Sequence, residues 1–308
     1  MKKRTVDEQY KELIKTILDN GFDYEDPNRK GVIRKQIPHF MIELDGNTSP
    51  ILTLKRVYPK LALNELKSFI AGDNTLQEFH DRHIKYWDKD VYRWNKEKKL
   101  IDEDITFEEF LKDVEEGFLP GLAGDIYSVQ MNSFNGCVDQ IDTVIKNLKN
   151  NPNSTKNTVT MWNPETNANN AACLSSCHWA FEFIVSVDSN GYNVLNLMWH
   201  QHSVDTFLGL PMNIMYYYFM LNIAARYLGM KVGTLYGNLT NVHLYDNTFE
   251  FSEIIKKSHI VHKAPNIVFE KQDTNKPFKQ FVEDASYYID GSYKYNEDYK
   301  VEMLTYSK

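Results

Sequence analysis

Residues 213–228 read NIMYYYFMLNIAARYL, and this stretch says most about the fold. Nearly every side chain in it is apolar or aromatic, so a helix formed here has no polar face to turn toward water. We therefore expect a helix that is buried on most of its surface. Gly229 follows directly and predicts the end of that helix, because glycine tolerates the left-handed conformation common at helix C-termini.

Three segments before this helix have the apolar content and alternation of strands, namely 157–162, 179–187 and 194–202. The turn-forming sequence Asp188-Ser189-Asn190-Gly191 joins the last two and predicts a β-hairpin. Strands and a buried helix are mixed without a regular βαβ alternation. The predicted fold class is therefore α+β.

The first half of the chain is predicted to contain two helices, at 10–18 and at 61–70, the second ending at Gly72. Between them, 38–44 and 51–55 are predicted to be strands, with Asp45-Gly46-Asn47 as the turn. The charged and aromatic region 87–119 is interpreted as surface helices and loops. The chain shows no linker or internal repeat, so we expect one domain over 1–308, with a C-terminal flap at about 290–308 that is free to move.

Composition excludes several classes of function. The 308 residues carry a formal charge of −7 and a pI near 5.7, which disfavours a nucleic-acid-binding surface. Three cysteines without regular spacing indicate a reducing compartment. The N-terminus is polar, and no apolar run is long enough to span a membrane. We therefore expect a cytoplasmic protein.

Two nearby cysteines differ as candidates for a nucleophile. Cys177 follows a Ser-Ser loop at the start of a predicted strand, where a side chain can reach a cleft, whereas Cys173 lies in an Ala-rich run typical of a packed core. A lone cysteine is more often a small buried apolar residue. A nucleophilic thiolate needs nearby cations or hydrogen-bond donors, and Arg29, Lys156 and His202 are candidates if the fold brings them together.

Other polar residues allow two interpretations each. Glu65, in an apolar run, is either a solvated helix residue or a carboxylic acid whose pKa is raised by burial to suit proton transfer. Asp205 and Asn213 are either a loop acid and a helix N-cap or part of a site. His200 and His202 share a strand face, but no further ligands at zinc spacing accompany them, so no metal is predicted.

The chain contains Ala172-Cys173-Leu174-Ser175-Ser176-Cys177-His178-Trp179, Gln201-His202-Ser203-Val204-Asp205, Leu208-Gly209-Leu210-Pro211-Met212-Asn213 and His243-Leu244-Tyr245. Each motif is weak alone, but their order and spacing resemble the thymidylate synthase family from about Asp7 to about Ile289. The resemblance implies a thymidylate synthase-like fold, with a mixed sheet and a long buried helix, in a sheet-to-sheet homodimer. It also implies that Cys177 adds to C6 of a pyrimidine nucleotide.

The same resemblance assigns roles around the nucleotide. It implies that Glu65 organises water and proton transfer, that Tyr127 assists removal of the C5 proton, and that Asn213 recognises O4 and N3 of uracil. The pair His243 and Tyr245 is implied to bind the sugar hydroxyl. The phosphate is implied to be bound by Arg29 and Ser203, and the substrate site to include Gln201, His202 and Lys156.

The resemblance further implies 5,10-methylenetetrahydrofolate as co-substrate. It places Asp205 on the pterin, and Trp87, Leu208 and Gly209 along the folate cleft. Lys55 is implied to lie near the glutamate tail, and Met212 is assigned to the same cleft.

Some positions depart from the family pattern. The twin arginines that family members lend to the phosphate across the dimer fall at Thr155 and Lys156, and an Arg becomes His202. If His202 is protonated, phosphate affinity and thiolate fraction depend on pH near neutrality. A second tryptophan falls at about Asp90. The C-terminal flap lacks the family's prolines and closing small apolar residues.

Three functions therefore remain. Methyl transfer to dUMP is predicted first. A dUMP (or related pyrimidine nucleotide) 5-hydroxymethylase, in which water replaces the hydride, is second and is favoured by Asp90 and the altered flap. The Lys- and Asn-rich composition is compatible with a phage origin. The third is a non-catalytic nucleotide- or RNA-binding regulator, which the acidic charge and the retained Cys177, Glu65, Asp205 and Asn213 disfavour.

Overall fold

The structure is a computed structural model that describes residues 4–304. The helices are α1 (Val6–Asn20), α2 (Pro59–Ala71), α3 (Leu76–Asp81), α4 (Asp88–Glu97), α5 (Phe107–Glu115), α6 (Tyr127–Asn132), α7 (Gln140–Asn150), α8 (Pro164–Ala168), α9 (Gly209–Leu228), α10 (Phe249–Lys257) and α11 (Phe278–Glu283). The strands are β1 (Phe22–Glu25), β2 (Ile33–Asp45), β3 (Thr158–Thr160), β4 (His178–Val187), β5 (Asn193–Gln201), β6 (Val204–Asp205), β7 (Lys231–Tyr245), β8 (Asn266–Phe269) and β9 (Tyr287–Asp290).

A mixed sheet forms the centre of the fold. Its strand order is β1-β2-β7-β5-β4-β3, with β6 pairing beside β7. The pairs β5–β7 and β6–β7 are parallel, and the other pairs are antiparallel. The α+β class and the mixed sheet are therefore confirmed. Because β5 and β7 end at the same edge where β4 and β2 begin, the loops at that edge converge.

Helix α9 packs against β5, β7 and α2. Most of its 20 residues are buried, and Tyr217 stacks on Trp199 of β5 with ring centroids 5.2 Å apart. Its C-cap is Gly229, at φ +66°. The helix begins at Gly209, four residues before the predicted start, because Pro211 in the first turn removes an N–H that has no intrahelical partner there anyway. Asn213 is thus a residue within the helix and not its N-cap.

Helices α1 and α2 lie where they were predicted. A capping box formed by Thr5 and Glu8 starts α1, whose apolar side chains are buried. Helix α2 ends at Gly72, whose φ of +97° is the left-handed conformation that glycine allows. The predicted hairpin is also present, since β4 and β5 pair antiparallel up to Val187 and Asn193.

One prediction of local structure was wrong. Residues 51–55 are buried but form no strand, because the Asp7 carboxylate accepts the N–H groups of Thr53 (2.8 Å) and Leu54 (3.1 Å). A side chain thus replaces the ladder that a strand would need. Region 87–119 consists of helices and loops, as predicted. Helices α4 and α5 each turn one apolar face into the core, where Trp87, Val91, Trp94, Phe110 and Val114 are buried.

Candidate functional site

A cavity of about 210 Å³ lies at the sheet edge where β5 and β7 end and α9 begins. The loop before β4, the start of α4 and the C-terminal segment enclose it. Twelve of the predicted site residues line it: Arg29, Glu65, Trp87, Tyr127, Cys177, Gln201, Ser203, Asp205, Leu208, Gly209, Asn213 and Tyr245.

Cys177 lies immediately before β4, and its thiol faces a buried environment. The backbone N–H of Cys177 donates to the Tyr127 hydroxyl at 2.8 Å. Burial raises the pKa of the thiol to about 11, and the nearby Arg29 guanidinium acts in the opposite direction. The thiol is therefore the resting form at neutral pH, and a ligand or proton acceptor has to promote its ionisation.

His178 supports Cys177 without supplying charge. Its Nδ1 is hydrogen-bonded to the Tyr217 hydroxyl at 2.8 Å, and its ring stacks on Tyr127 with centroids 4.1 Å apart. Burial lowers the pKa of His178 to about 3, so the imidazole is neutral at pH 7. Its role in the site is to hold Tyr127 in place.

Glu65 projects from α2 into the cavity. The Tyr86 hydroxyl donates to Glu65 Oε1 at 2.5 Å. Burial raises the pKa of Glu65 to about 7, an effect that the bond from Tyr86 partly offsets. A carboxyl group with this pKa can both accept and return a proton near neutral pH.

A chain of three side chains fixes the orientation of the Asn213 amide. The Trp199 indole N–H, which can only donate, bonds Gln201 Oε1 at 3.1 Å. Gln201 must then turn its Nε2 toward Asn213, where it donates to Oδ1 at 3.0 Å. The Asn213 Nδ2 is therefore available to donate to a ligand, and Oδ1 retains one further lone pair.

Asp205 ends β6 beside the start of α9. Its Oδ1 accepts the N–H groups of Phe207 (3.0 Å) and Leu208 (3.1 Å), which leaves Oδ2 to accept from a ligand. Behind it, the buried Lys55 Nζ donates to the Phe207 carbonyl at 2.5 Å. Burial lowers the pKa of Lys55 to about 8, against the opposing effect of Asp205.

The mouth of the cavity is built from loops and from the C-terminal segment. Arg29 Nη1 donates to the Tyr245 hydroxyl at 2.9 Å, and Arg29 Nε donates to the Leu304 carbonyl at 3.2 Å. Lys89 pairs with Glu302 at 2.9 Å. The predicted flap thus covers the mouth as far as Leu304, and residues 305–308 lie outside the described residues.

Sequence comparison agrees with this arrangement. A family model described as thymidylate synthase matches residues 8–305. The chain belongs to the thymidylate synthase family. It is 33% identical over 247 residues to the thymidylate synthase of Mycoplasma genitalium, covering 79% of this chain and 82% of that protein. It is 32% identical over 275 residues to the thymidylate synthase of Enterobacteria phage T4, covering 88% and 86%.

A third relative is the thymidylate synthase of Mycoplasma mobile, at 30% identity over 272 residues, covering 87% of this chain and 91% of that protein. A longer protein, the bifunctional dihydrofolate reductase-thymidylate synthase of Leishmania major, is 29% identical over 281 residues and is covered over 50% of its length. The family assignment therefore applies to nearly the whole chain.

Five residues that the thymidylate synthase resemblance assigned to the site lie outside the cavity lining: Lys55, Lys156, His202, Met212 and His243. Lys156 is exposed, and Met212 packs against the core. Of the three cations predicted near Cys177, Arg29 is the one that lines the cavity within the described residues of one chain.

His202 and His243 lie just behind the cavity. The His202 ring packs edge-on against Trp162, and burial lowers its pKa below the ordinary imidazole value, which favours the neutral form. That a protonated His202 takes over from an arginine stays a prediction. His243 is buried, its Nδ1 bonds the Asn241 carbonyl at 2.9 Å, and its ring contacts Tyr245.

Several lining residues were not predicted as site residues. Tyr86 is the partner of Glu65, and its position beside Trp87 carried no signal. Asp90 was noted only as a departure, yet it lines the cavity, because three residues after Trp87 is the same face of α4. Burial raises the pKa of Asp90, and Arg93 lies 3.8 Å away.

Residues 4–304 offer neither a metal site nor a membrane-spanning helix. That part of the chain holds no group of three or more His, Cys, Asp or Glu side chains placed to bind a metal ion. His200 instead contacts Glu182 at 3.4 Å and Asn238 at 3.1 Å. None of the helices within residues 4–304 is long and apolar enough to cross a membrane.

Proposed function

We propose that this chain transfers a one-carbon unit from 5,10-methylenetetrahydrofolate to C5 of dUMP and produces dTMP. The observation that carries the proposal is the fixed orientation of Asn213 in the cavity that contains the Cys177 thiol. The names of the relatives support the same reaction.

The orientation of Asn213 favours uracil over cytosine. Uracil presents an acceptor at O4 and a donor at N3, and these match Asn213 Nδ2 and the remaining lone pair of Oδ1. Cytosine presents the reverse pattern. A 180° rotation of the Asn213 amide would break its hydrogen bond to Gln201, whose own orientation is set by the Trp199 indole.

Cys177 is the proposed nucleophile. Its Sγ bonds to C6, the thiol proton leaves, and the C5–C6 π electrons move toward C5 and O4. The donor on Asn213 stabilises the negative charge that develops at O4.

C5 then bonds to the one-carbon unit as the bond from that carbon to one folate nitrogen breaks, and the C5 proton departs as the remaining carbon–nitrogen bond to tetrahydrofolate breaks. A hydride from tetrahydrofolate then reduces the exocyclic methylene to methyl while the bond between Cys177 Sγ and C6 breaks, which gives dTMP and dihydrofolate and frees the thiolate. Tyr127 is placed beside Cys177 to assist removal of the C5 proton, and Glu65, with a pKa of about 7, exchanges protons through water.

The folate is proposed to lie between α4 and the start of α9. Trp87 supplies an aromatic surface, Leu208 and Gly209 form the facing wall, and Asp205 Oδ2 is available to a pterin N–H. Lys55 acts differently from its assigned role near the glutamate tail. Its bond to the Phe207 carbonyl fixes the start of α9, and Met212 packs behind that wall.

The sugar and phosphate are proposed to occupy the mouth. Tyr245 and Ser203 line it beside Arg29, and His243 orients Tyr245 through ring contact. Gln201 acts by orienting Asn213. Lys156 and His202 are not needed for binding within one chain.

A 5-hydroxymethylase is the second candidate, and Asp90 favours it. Its carboxylate is buried in the cavity lining and, among the described residues, Oδ1 has no hydrogen-bond partner. Such a group can hold a water molecule beside the one-carbon unit, so that hydroxide and not hydride completes the product.

A non-catalytic regulator is the third candidate. It does not explain why Cys177, Glu65 and Asn213 lie together in one cavity.

We further propose that 1–308 forms one catalytic domain, that it works in the cytoplasm and that it is a homodimer through the outer face of the sheet. Strand register places Met41 and Ile184 on this face, and each is about two-fifths exposed, at 42% and 41%. Size-exclusion chromatography with light scattering tests the dimer, and a monomer at micromolar concentration would contradict it.

The experiment that tests the function is mass spectrometry of the nucleotide after incubation with dUMP and 5,10-methylenetetrahydrofolate, with dihydrofolate absorbance followed in the same sample. A methyl product with dihydrofolate supports the first candidate. A hydroxymethyl product without dihydrofolate supports the second. No product from dUMP would contradict both, and the Cys177→Ala variant serves as the control for background chemistry.

A further inference from the structure

Three charged side chains cluster behind the mouth of the cavity. The Asp26 carboxylate is fully buried and lies between two arginines. Arg29 Nη1 is 3.6 Å from Oδ1, and Arg34 Nη1 is 3.3 Å from Oδ2. One carboxylate therefore interacts with two guanidinium groups, and the cluster carries a net positive charge.

The backbone holds this cluster against the mouth. The Asp26 N–H bonds the Val32 carbonyl at 2.8 Å, which closes the loop that carries Arg29. Arg34 lies in β2 directly opposite Tyr245 of β7. Its guanidinium packs over the Tyr24 ring at 4.5 Å. Arg34 thus contacts Asp26 without lining the cavity, whereas Arg29 lines it.

The arrangement has an electrostatic consequence. If Asp26 had Arg29 as its sole partner, the two opposite charges would largely cancel at the mouth, and the carboxylate would draw the guanidinium away from a ligand. With Arg34 on the other oxygen, Asp26 is already neutralised. This matters because Arg29 is the one Lys or Arg among the described residues that line the cavity, whose acids include Glu65, Asp90, Asp205 and Glu302.

Burial of Arg34 is costly in itself. Its Nε is buried and has no hydrogen-bond partner within the part of the chain that the structure describes. An unsatisfied buried donor lowers stability, and the ion pair with the buried Asp26 carboxylate offsets this cost.

We infer that Arg34 is a positioning residue for substrate recognition. By offsetting the charge of the Asp26 carboxylate, it keeps the cluster around Arg29 net positive toward the 5′-phosphate of the nucleotide. This inference rests on the proposed function only in taking a 5′-phosphorylated pyrimidine nucleoside as the ligand. It concerns binding and not the chemistry that follows.

The test compares dUMP with deoxyuridine, which lacks the phosphate, by isothermal titration calorimetry on the full chain. Arg34→Gln removes the charge and leaves Asp26 to pair with Arg29. We expect dUMP to bind about tenfold more weakly to this variant, whereas the Kd of deoxyuridine stays within about twofold, because a loss of roughly one screened charge interaction affects the phosphate alone.

A second substitution separates electrostatics from folding. In Arg34→Gln/Asp26→Asn the competing carboxylate is absent, and we expect the Kd of dUMP to return to within about threefold of the wild-type value. Arg34→Lys retains the charge and is expected to keep most of the affinity. The matched control is Arg226→Gln, another arginine packed on an aromatic ring, Phe269, and it is expected to leave both affinities unchanged.

Three outcomes would overturn the inference. The first is an unchanged Kd for dUMP in Arg34→Gln, and the second is an equal loss for dUMP and deoxyuridine. The third is a wild-type protein that binds dUMP and deoxyuridine with equal affinity, because such a protein does not recognise the phosphate. Failure of the proposed function looks different, because dUMP would then bind with the predicted dependence on Arg34 and no product would form.

Discussion

The inner end of the cavity and its mouth are built in different ways. At the inner end, Cys177, Asn213 and Tyr127 lie on β4, α9 and α6 or directly beside them, and side-chain hydrogen bonds orient them. At the mouth, Arg29 and Leu304 belong to irregular segments that are 275 residues apart in sequence.

This difference indicates where the cavity tolerates amino-acid substitutions. Inner groups depend on core packing, so a change there disturbs both the site and the fold. Mouth groups lie on loops that can change without altering the core. Thr155, Lys156, His202 and the C-terminal segment, where this chain is expected to depart from the family pattern, likewise lie on loops and turns. The expected departure at Asp90 lies on a helix face instead.

The largest expected effect is at the inner end. Cys177→Ala should reduce turnover with dUMP by at least about 10⁴-fold, because no other thiol lines the cavity among the described residues. Turnover is measured by product mass spectrometry. The matched control is Cys137→Ala, at an exposed cysteine, which should retain wild-type turnover. Full activity in Cys177→Ala would contradict a covalent mechanism through Cys177.

Glu65→Gln is expected to lower kcat by about 10²- to 10⁴-fold, because the amide cannot exchange protons. Steady-state kinetics measures this loss. Tyr86→Phe is the companion variant. It removes the hydroxyl that donates to Glu65 and retains the carboxyl, so a smaller loss is expected. An equal loss in both variants would indicate a packing defect.

Glu65 should also make stability depend on pH. Burial raises its pKa to about 7, so the folded state holds this proton more tightly than the unfolded state does. The resulting stabilisation is complete below the ordinary carboxyl pKa and is lost as the pH rises through about 7. The wild-type protein should therefore lose up to about 3 kcal/mol relative to Glu65→Gln over this range. Parallel Tm curves for the two proteins would refute the assignment.

Asn213→Asp tests base recognition at the same end. The carboxylate has no donor for uracil O4 and can accept from the cytosine amino group at C4, so the ratio of kcat/KM for dUMP over dCMP should fall by about 10²-fold or more. Trp199→Phe removes the indole that orients Gln201 and should weaken the same discrimination without adding charge. Unchanged selectivity in both variants would contradict the proposed role of this hydrogen-bond chain.

The smallest effect is expected at the mouth. His202→Asn should leave KM for dUMP within about twofold of wild type from about pH 6.5 to 8, because burial lowers the pKa of His202 and so disfavours its cationic form, and because its ring packs on Trp162. The measurement is KM as a function of pH. An increase in KM confined to the lower pH values would show that His202 binds the phosphate as a cation, as the arginine expected at this position would.

Much of the fold was predictable because its signals are local. The apolar run at 213–228, the hairpin turn at Asp188–Gly191 and the stop at Gly72 each act through periodicity or backbone conformation. The predicted strand at 51–55 failed because its hydrogen bonds come from Asp7, 46 residues away. No local pattern encodes such a partner.

For the site, the sequence by itself determined which groups are present, namely the thiol of Cys177, the amide of Asn213 and the acids Glu65 and Asp205, because motif order and residue type are properties of the chain. Tertiary structure alone decided what those groups can do. Packing sets the pKa of Glu65, Trp199 sets the face of Asn213, and a buried carboxylate between Arg29 and Arg34 sets the charge at the mouth. Desolvation and hydrogen-bond direction depend on neighbours that only folding brings together.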